Sequence, residues 1–304
     1  MIIPVIGGPT GVGKTSISIK LAKQINGEII SADSMQIYKC MDIGTAKVTE
    51  AEAEGIKHHL IDIRETNEEY SVAEFSQDAR EIIKDIISRG KHPIIVGGTG
   101  LYLNSLIYGI NFEENIDLEF RNKLEKEVKE NPEKLEELYN KLKKIDIETA
   151  EKISSIDSRR IIRALEIFET TGKTKSFVEK ENREKLDELE FQLFVLNMDR
   201  DELYHRINIR VDKMFEEGLL EEVKSLEGKF SKTSAQAIGY KEVVSYLQNE
   251  IDYKEMVEII KQRSRNYAKR QFTWFRKNNA IWLDATDQDE SLKTIIENIG
   301  INEK

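Results

Sequence analysis

Gly8-Pro9-Thr10-Gly11-Val12-Gly13-Lys14-Thr15 fits G-x-x-x-x-G-K-[ST], the pattern of a phosphate-binding loop. An apolar run from Ile2 to Ile6 precedes it and a helical pattern from Ile17 to Ile25 follows. That strand–loop–helix setting is what the pattern needs. Glycines let the backbone wind so that its N–H groups face inward, and the helix N-terminus adds partial positive charge. In such a loop Lys14 reaches terminal phosphates and the Thr15 hydroxyl holds Mg2+. The alternative, a glycine-rich turn with no ligand, is set aside by the flanking strand and helix.

Outward from the loop, the first hundred residues alternate. Strands are predicted at 2–7, 28–31, 58–62 and 92–97, and helices at 13–26, 71–90 and 100–108. Alternation of this kind implies an α/β fold of the P-loop NTPase-like kind, a parallel sheet flanked by helices. Ligands of such sheets sit beyond the carboxyl ends of the strands, where Gly8–Thr15, Ser31–Tyr38 and Gly97–Tyr102 fall. From 113 to 185 only helical spacing of apolar residues appears, amid Glu, Lys and Leu, so this stretch reads as a helical insertion domain. The core is then 1–112 with 186–304. In its second part, strand character returns at 191–198 and 281–283, and helices are expected over 201–228, 234–249 and 253–278.

The whole chain bounds the function. Its 304 residues suffice for one large core or two domains, and charged residues at 34% with apolar ones at 39% describe a soluble, helix-rich protein. No stretch has the length of an apolar membrane span. A core strand from residue 2 leaves no room for a signal peptide, and a cytoplasmic location is expected. The single cysteine, Cys40, excludes a disulfide framework, and the four histidines show no metal spacing. A net charge of −10 speaks against a globally basic nucleic-acid binder. However, Lys261 to Lys277 carries seven Lys or Arg residues and no acidic one, and Arg159, Arg160 and Arg163 form a smaller cluster. A basic stripe on an acidic protein can still be an electrostatic footprint.

Three further segments carry chemistry. Ile29 to Ser34 ends a buried strand at Asp33, which faces the loop and can bind Mg2+ through water or take a proton from a nucleophile. A cap or turn role is its alternative. At the second strand end, Gly97-Gly98-Thr99-Gly100 stands where many nucleoside triphosphatases have an aspartate, which argues against an ATP-hydrolysing motor. The glycines allow another backbone to come close, and tight strand–helix packing explains them equally well. Arg206 and Arg210 lie four apart, on one helix face, and can clamp a diphosphate. Surface salt bridging to Asp212 or Glu202 is the reading that the pattern by itself favours. Tyr267, Phe272 and Trp274, interleaved with basic residues, read as packing rather than base-stacking groups.

GPTGVGKT, SADSMQIY, DIGTAKV, HHLID, YSVAEF, PIIVGGTGLYL, RRIIRALEI, AIGYKEV and RNYAKRQFTWFR follow one another in this order. Together they closely resemble the tRNA dimethylallyltransferases, also called tRNA isopentenyltransferases, from residue 2 to about 283. The resemblance implies transfer of a dimethylallyl group from dimethylallyl diphosphate to N6 of adenosine 37, beside the anticodon. The loop then holds the leaving diphosphate rather than ATP, with Mg2+ as cofactor. By resemblance, Asp33 is the general base, and Thr99 and Arg206 hold substrate, with Arg210 second to Arg206. Gly8, Pro9, Thr10, Gly11, Val12, Gly13, Lys14 and Thr15 form the diphosphate cradle. The implied tRNA contacts are Asp33, Ser34, Met35, Gln36, Thr99, Arg121, Arg159, Arg160, Ile161, Ile162, Arg163, Lys269 and Arg270. The anticodon stem-loop is the expected partner, with no DNA and no membrane, and the adenosine is expected to flip from its stack. A small-molecule P-loop kinase, an isopentenyltransferase acting on free adenine nucleotides, and a non-catalytic nucleotide-gated RNA switch are the alternatives.

Overall fold

The computed structural model describes residues 1–109, 117–184, 189–226 and 228–300. They form two compact units, residues 1–107 with 188–304 and residues 108–187. The expected boundaries at 112/113 and 185/186 lie outside the described residues.

The larger unit is built on six strands: β1 (Ile2–Gly7), β2 (Gly27–Ala32), β3 (His58–His59), β4 (His92–Gly97), β5 (Glu190–Asn197) and β6 (Ile281–Asp284). They pair in the order β3-β2-β4-β1-β5-β6, every pairing parallel. Strand periodicity sorts their side chains between two cores. Val5, Ile30, Ile95 and Val195 face one core, and their neighbours Ile6, Ile29, Ile94 and Phe194 face the other. Helices α1 (Lys14–Ile25) and α14 (Gln288–Ile299) belong to the second core through residues such as Leu21 and Ile295. On the first core lie α3 (Val72–Ser88), through Phe75 and Ile83, and α4 (Gly100–Tyr108), through Leu103. Ser71 and Glu74 of YSVAEF start α3 as a capping box, each side chain accepting the other's backbone N–H. The short α2 (Glu50–Ala53) is capped in the same way by Thr49 and Glu52.

The smaller unit holds α5 (Leu118–Glu130), α6 (Lys134–Ile145), α7 (Ile147–Lys152), α8 (Ser158–Thr171) and α9 (Lys175–Glu184). Leu124, Leu138, Leu142, Ile161, Ile162 and Leu165 form its core. Back in the larger unit come α10 (Arg200–Glu216), α11 (Leu219–Ser225), α12 (Tyr240–Leu247) and α13 (Tyr253–Phe275).

Three predicted elements need correction. The strand expected at 58–62 stops at His59, because Leu60 and Asp62 take left-handed backbone conformations, φ 59° and 56°. The helix expected at 201–228 breaks at Gly218, φ 101°, into α10 and α11. The helix expected at 234–249 is a 3-10 turn at Ser234–Gln236 followed by α12, with Gly239 at φ 98° between them. No helix among the described residues is long and apolar enough to cross a membrane.

Candidate active site

The loop after β1 enters α1 through Gly13, whose φ of 101° suits glycine and whose lack of a side chain leaves the first helical N–H groups uncapped. Uncapped N–H groups at a helix start are an anion site. Lys14 folds back over the loop and donates from Nζ to Gly8 O at 3.0 Å and Pro9 O at 2.9 Å. Burial lowers its pKa to about 8, against the pull of Asp33 and with the push of Arg210. Beside it lies a hollow of about 60 Å3 whose polar wall is Lys14, Thr15, Ser18, Ser31, Asp33, Gln36 and His58. That volume admits a small cation with a few waters. The wall supplies hydroxyl, amide and carboxylate oxygens, which suit Mg2+, an ion that takes one or two carboxylates and completes its shell with phosphate and water. No cluster of three or more His, Cys, Asp or Glu able to hold a metal by itself occurs among the described residues.

Asp33 follows β2 directly, and its Oδ1 accepts the Met35 N–H at 2.9 Å, which fixes the turn. The turn is tied to the end of β4: Thr99 Oγ1 accepts the Ser34 N–H at 3.2 Å, and the Thr99 N–H donates to Ala32 O at 3.3 Å. A side chain at Gly97 would put its Cβ 2.3 Å from Ala32 O, so this close backbone approach needs glycine. Gln36 reaches on to Thr45 O and Ala46 O, both at 3.3 Å, in the DIGTAKV segment. That segment is held in turn by Glu222 of α11, which accepts the N–H groups of Asp42, Ile43 and Gly44.

On the far side of Asp33 opens a second cavity of about 250 Å3. Ile207, Val211, Met214, Ile238 and Ile260 give it an apolar wall; Thr10, Asp33, Ser34, Arg210, Tyr267 and Arg270 give it a polar one. Asp33 is thus common to the two hollows. Arg210 lies within 3.4 Å of Thr10 Oγ1 through Nη1, and burial pulls its pKa below the usual arginine value while Asp33 opposes that shift. An arginine stays charged under such a shift. Burial and Asp33 push the Tyr267 hydroxyl up to about 12.

Helix α13 closes this end of the sheet by filling the space that three glycines leave. A Cβ at Gly7 would meet Phe275 at 2.4 Å, at Gly98 the Gln271 amide at 2.1 Å, and at Gly100 the Trp274 ring at 2.6 Å. Side chains of α13, rather than a second backbone, therefore explain Gly98 and Gly100. Gln271 accepts the Thr10 N–H at 2.9 Å and donates to Gly98 O at 3.0 Å. Phe272 stacks on Trp282, with centroids 6.3 Å apart, so it packs as expected. Tyr267 does not: it lines the cavity. Sequence reasoning missed Tyr267 and Gln271 as site residues, although both lie in the quoted RNYAKRQFTWFR.

The structure brings the loop, Asp33 to Met35, Thr99, Arg210 and Arg270 to one end of the sheet, with Gln36 behind the turn. It does not bring Arg206 there. Arg206 is exposed and pairs with Glu202 at 2.8 Å, one turn back on α10, whereas the residue one turn before Arg210 is Arg206 itself and offers no carboxylate. Of the two arginines, Arg210 lines the cavity beside Asp33. Val12 is buried in a core cluster and serves the loop through its backbone. Ile161 and Ile162 are buried in the smaller unit's core, so their side chains are unavailable to RNA. Arg121 and Arg163 both ion-pair with the buried Glu166, at 2.8 and 3.0 Å. Arg159 and Arg160 are exposed, the latter 3.3 Å from Asp157. On α13, Lys261 pairs with Asp212 at 2.6 Å and Arg263 with Glu242, while Lys269 and Arg270 are exposed. The Arg270 guanidinium lies 5.5 Å from the Tyr267 ring centroid.

Comparison with known proteins identifies the family. A family model described as IPP transferase matches residues 36–278. The tRNA dimethylallyltransferase of Acetivibrio thermocellus is 51% identical over 300 residues, which is 97% of this chain and 95% of that protein. Among solved structures, the full-length tRNA isopentenylpyrophosphate transferase from Bacillus halodurans is 44% identical with a TM-score of 0.73, covering 98% of this chain and 95% of its own. A eukaryotic dimethylallyltransferase acting on tRNA is 34% identical with a TM-score of 0.82, over 98% of this chain and 79% of that one.

Proposed function

This chain belongs to the IPP transferase family, and on that premise we propose that it moves a dimethylallyl group from dimethylallyl diphosphate to N6 of adenosine 37 in the tRNA anticodon stem-loop. The observation that carries the reading is the position of Asp33. One carboxylate borders both the phosphate-loop hollow and a cavity with an apolar wall, where an allylic chain and a flipped base can meet.

In this reading the diphosphate sits on the N–H groups of Gly11 to Thr15, with Lys14 and Arg210 opposing its charge. Lys14 leaves the Gly8 and Pro9 carbonyls to do so. Thr15 is the residue that would hold Mg2+, and the ion supplies charge neutralisation to the leaving group. The N6 lone pair forms a bond to C1 of the allyl group as the C1–O bond breaks, and that electron pair leaves on the diphosphate. Asp33 takes the proton that N6 sheds, a role worth about 10²- to 10⁴-fold for a poor nucleophile such as an exocyclic amine. Lys269, Arg270, Arg159 and Arg160 are the cations available to RNA phosphates, while Ser34, Met35 and Thr99 meet the flipped nucleotide. We place the reaction in the cytoplasm. The comparisons lend no support to the kinase or free-nucleotide alternatives.

The test mixes the protein with unmodified tRNA, dimethylallyl diphosphate and Mg2+, then weighs the nucleosides of the digested RNA. An adenosine heavier by one dimethylallyl group, absent without protein, is the expected result. No mass change from a folded, tRNA-binding protein would overturn the reading.

A further inference from the structure

The turn within DIGTAKV closes on itself: the Ala46 N–H donates to Ile43 O and the Lys47 N–H to Asp42 O, both at 3.0 Å. Three successive N–H groups of this turn converge on one carboxylate, and such a nest of amides is an anion site. The chain supplies the anion itself. Glu222 Oε2 accepts from Asp42 at 2.9 Å and from Ile43 at 2.8 Å, and Oε1 accepts from Gly44 at 3.1 Å. Oε1 also accepts from the hydroxyl of Tyr240, at the start of α12. The buried Tyr240 ring lies so close to Gly44 that a Cβ there would meet it at 2.4 Å. One carboxylate thus gathers four donors from two segments. Both segments reach the 250 Å3 cavity: Gly44 and Thr45 line it from one, and Gln236 to Ile238, just before Tyr240, from the other. Neither Glu222 nor Tyr240 lines it.

From the turn, hydrogen bonds lead on toward Asp33. Gln36 Nε2 donates to Thr45 O and Ala46 O, both at 3.3 Å, and Gln36 Oε1 accepts the Ser31 hydroxyl at 3.1 Å. Ser31 and Gln36 stand on either side of Asp33 in the sequence. Resting on the function proposed above, we propose that Glu222 is a positioning residue for prenyl transfer. Its carboxylate fixes the Gly44–Thr45 wall of the cavity and, through Gln36, the turn that carries Asp33. A shift of about 1 Å in that frame misaligns the amine with its base and its electrophile, which costs up to about 100-fold in rate. None of the four donors on Glu222 belongs to the phosphate loop or to α10, so the diphosphate cradle stands apart from this frame.

The experiment uses the full-length protein and three variants, Glu222→Gln, Gly44→Ala and Tyr240→Phe. Steady-state kinetics with tRNA and dimethylallyl diphosphate are measured beside thermal unfolding and calorimetric titration with inorganic diphosphate. Glu222→Gln keeps the side chain's size but turns amide donors toward a nest of donors. It should lower kcat about ten-fold and leave the donor KM and the diphosphate affinity within about two-fold. Gly44→Ala keeps the carboxylate and displaces the same wall against the Tyr240 ring, so it should repeat that split. Tyr240→Phe leaves the nest filled and should lower kcat by less than about three-fold. A Glu222→Gln protein that melts earlier but keeps the wild-type kcat when folded would overturn the proposal. So would a diphosphate affinity that falls in step with kcat, or a loss in Tyr240→Phe as large as in Glu222→Gln. A wild-type protein that prenylates no adenosine in the same assay would instead remove the function on which the proposal rests.

Discussion

Two sets of cations in this molecule look alike in the sequence and differ in what answers them. In the smaller unit, Arg121 and Arg163 converge on Glu166, a carboxylate with no exposed surface. In the larger unit, Lys14 rests on two carbonyl oxygens and Arg210 on a hydroxyl, and neither has an ion-pair partner among the described residues. A cation in contact with a buried carboxylate is part of the architecture. One whose direct contacts are only neutral oxygens has spent desolvation without a carboxylate in contact, and an arriving anion can supply that contact. The difference separates architecture from substrate binding.

The largest expected effect lies at Asp33, the acid whose charge acts on both Lys14 and Arg210. Asp33→Ala should cut kcat by about 10²- to 10⁴-fold while tRNA affinity stays close to wild type, as read by single-turnover kinetics and filter binding. An unchanged kcat would break the assignment of Asp33. Glu166→Ala should strand two arginines, and cost about 3–5 kcal/mol in the stability of the smaller unit by denaturant unfolding. A loss below about 1 kcal/mol would mean that the arginines there were never a closed set. Arg210→Ala should raise the donor KM about 10- to 100-fold, an energy typical of a charge-assisted contact, with Arg206→Ala within about two-fold of wild type. Equal effects would restore Arg206 to the site.

Acidity sharpens the same contrast. Lys14 is protonated below its lowered pKa of about 8 and neutral above it, so diphosphate affinity should be full at pH 7 and fall as pH rises past 8. The fall approaches ten-fold per pH unit once the free enzyme is mostly neutral at this position. Lys14→Arg should flatten that dependence in calorimetric titrations with inorganic diphosphate. The smallest change is in RNA binding: replacing Lys269 and Arg270 together by alanine should weaken tRNA affinity and lower the slope of log K against log salt by about 1.5.

The sheet was legible because Ile2–Ile6, Ile29–Ile30 and Ile94–Val96 are short apolar runs set between helical patterns, and its ligand end follows from parallel topology. The loop carries its own signature. What α13 does was not legible. Whether Tyr267 faces a core or a cavity depends on what lies across from it, and periodicity along one helix is silent about its neighbour. The glycines at 98 and 100 marked a close approach, but not that a glutamine and a tryptophan would make it. Arg206 and Arg210 share a helical face, and only their surroundings distinguish them. The cluster Arg159 to Arg163 reads as one basic patch, yet helical spacing turns Ile161 and Ile162 inward and leads Arg163 to Glu166.

The hydrogen bond from Thr10 to Gln271 joins residues 261 positions apart. At about 5–20 residues per second, a ribosome takes roughly 13–52 s to travel between them. Throughout that interval the nascent chain carries a finished phosphate-loop sequence without the Gln271 side chain that accepts the Thr10 N–H. The Thr10 N–H therefore gains its Gln271 partner only after most of α13 has been made. A chain cut short before residue 271 carries the whole phosphate-loop sequence and lacks the side chain that ties Thr10 to Gly98.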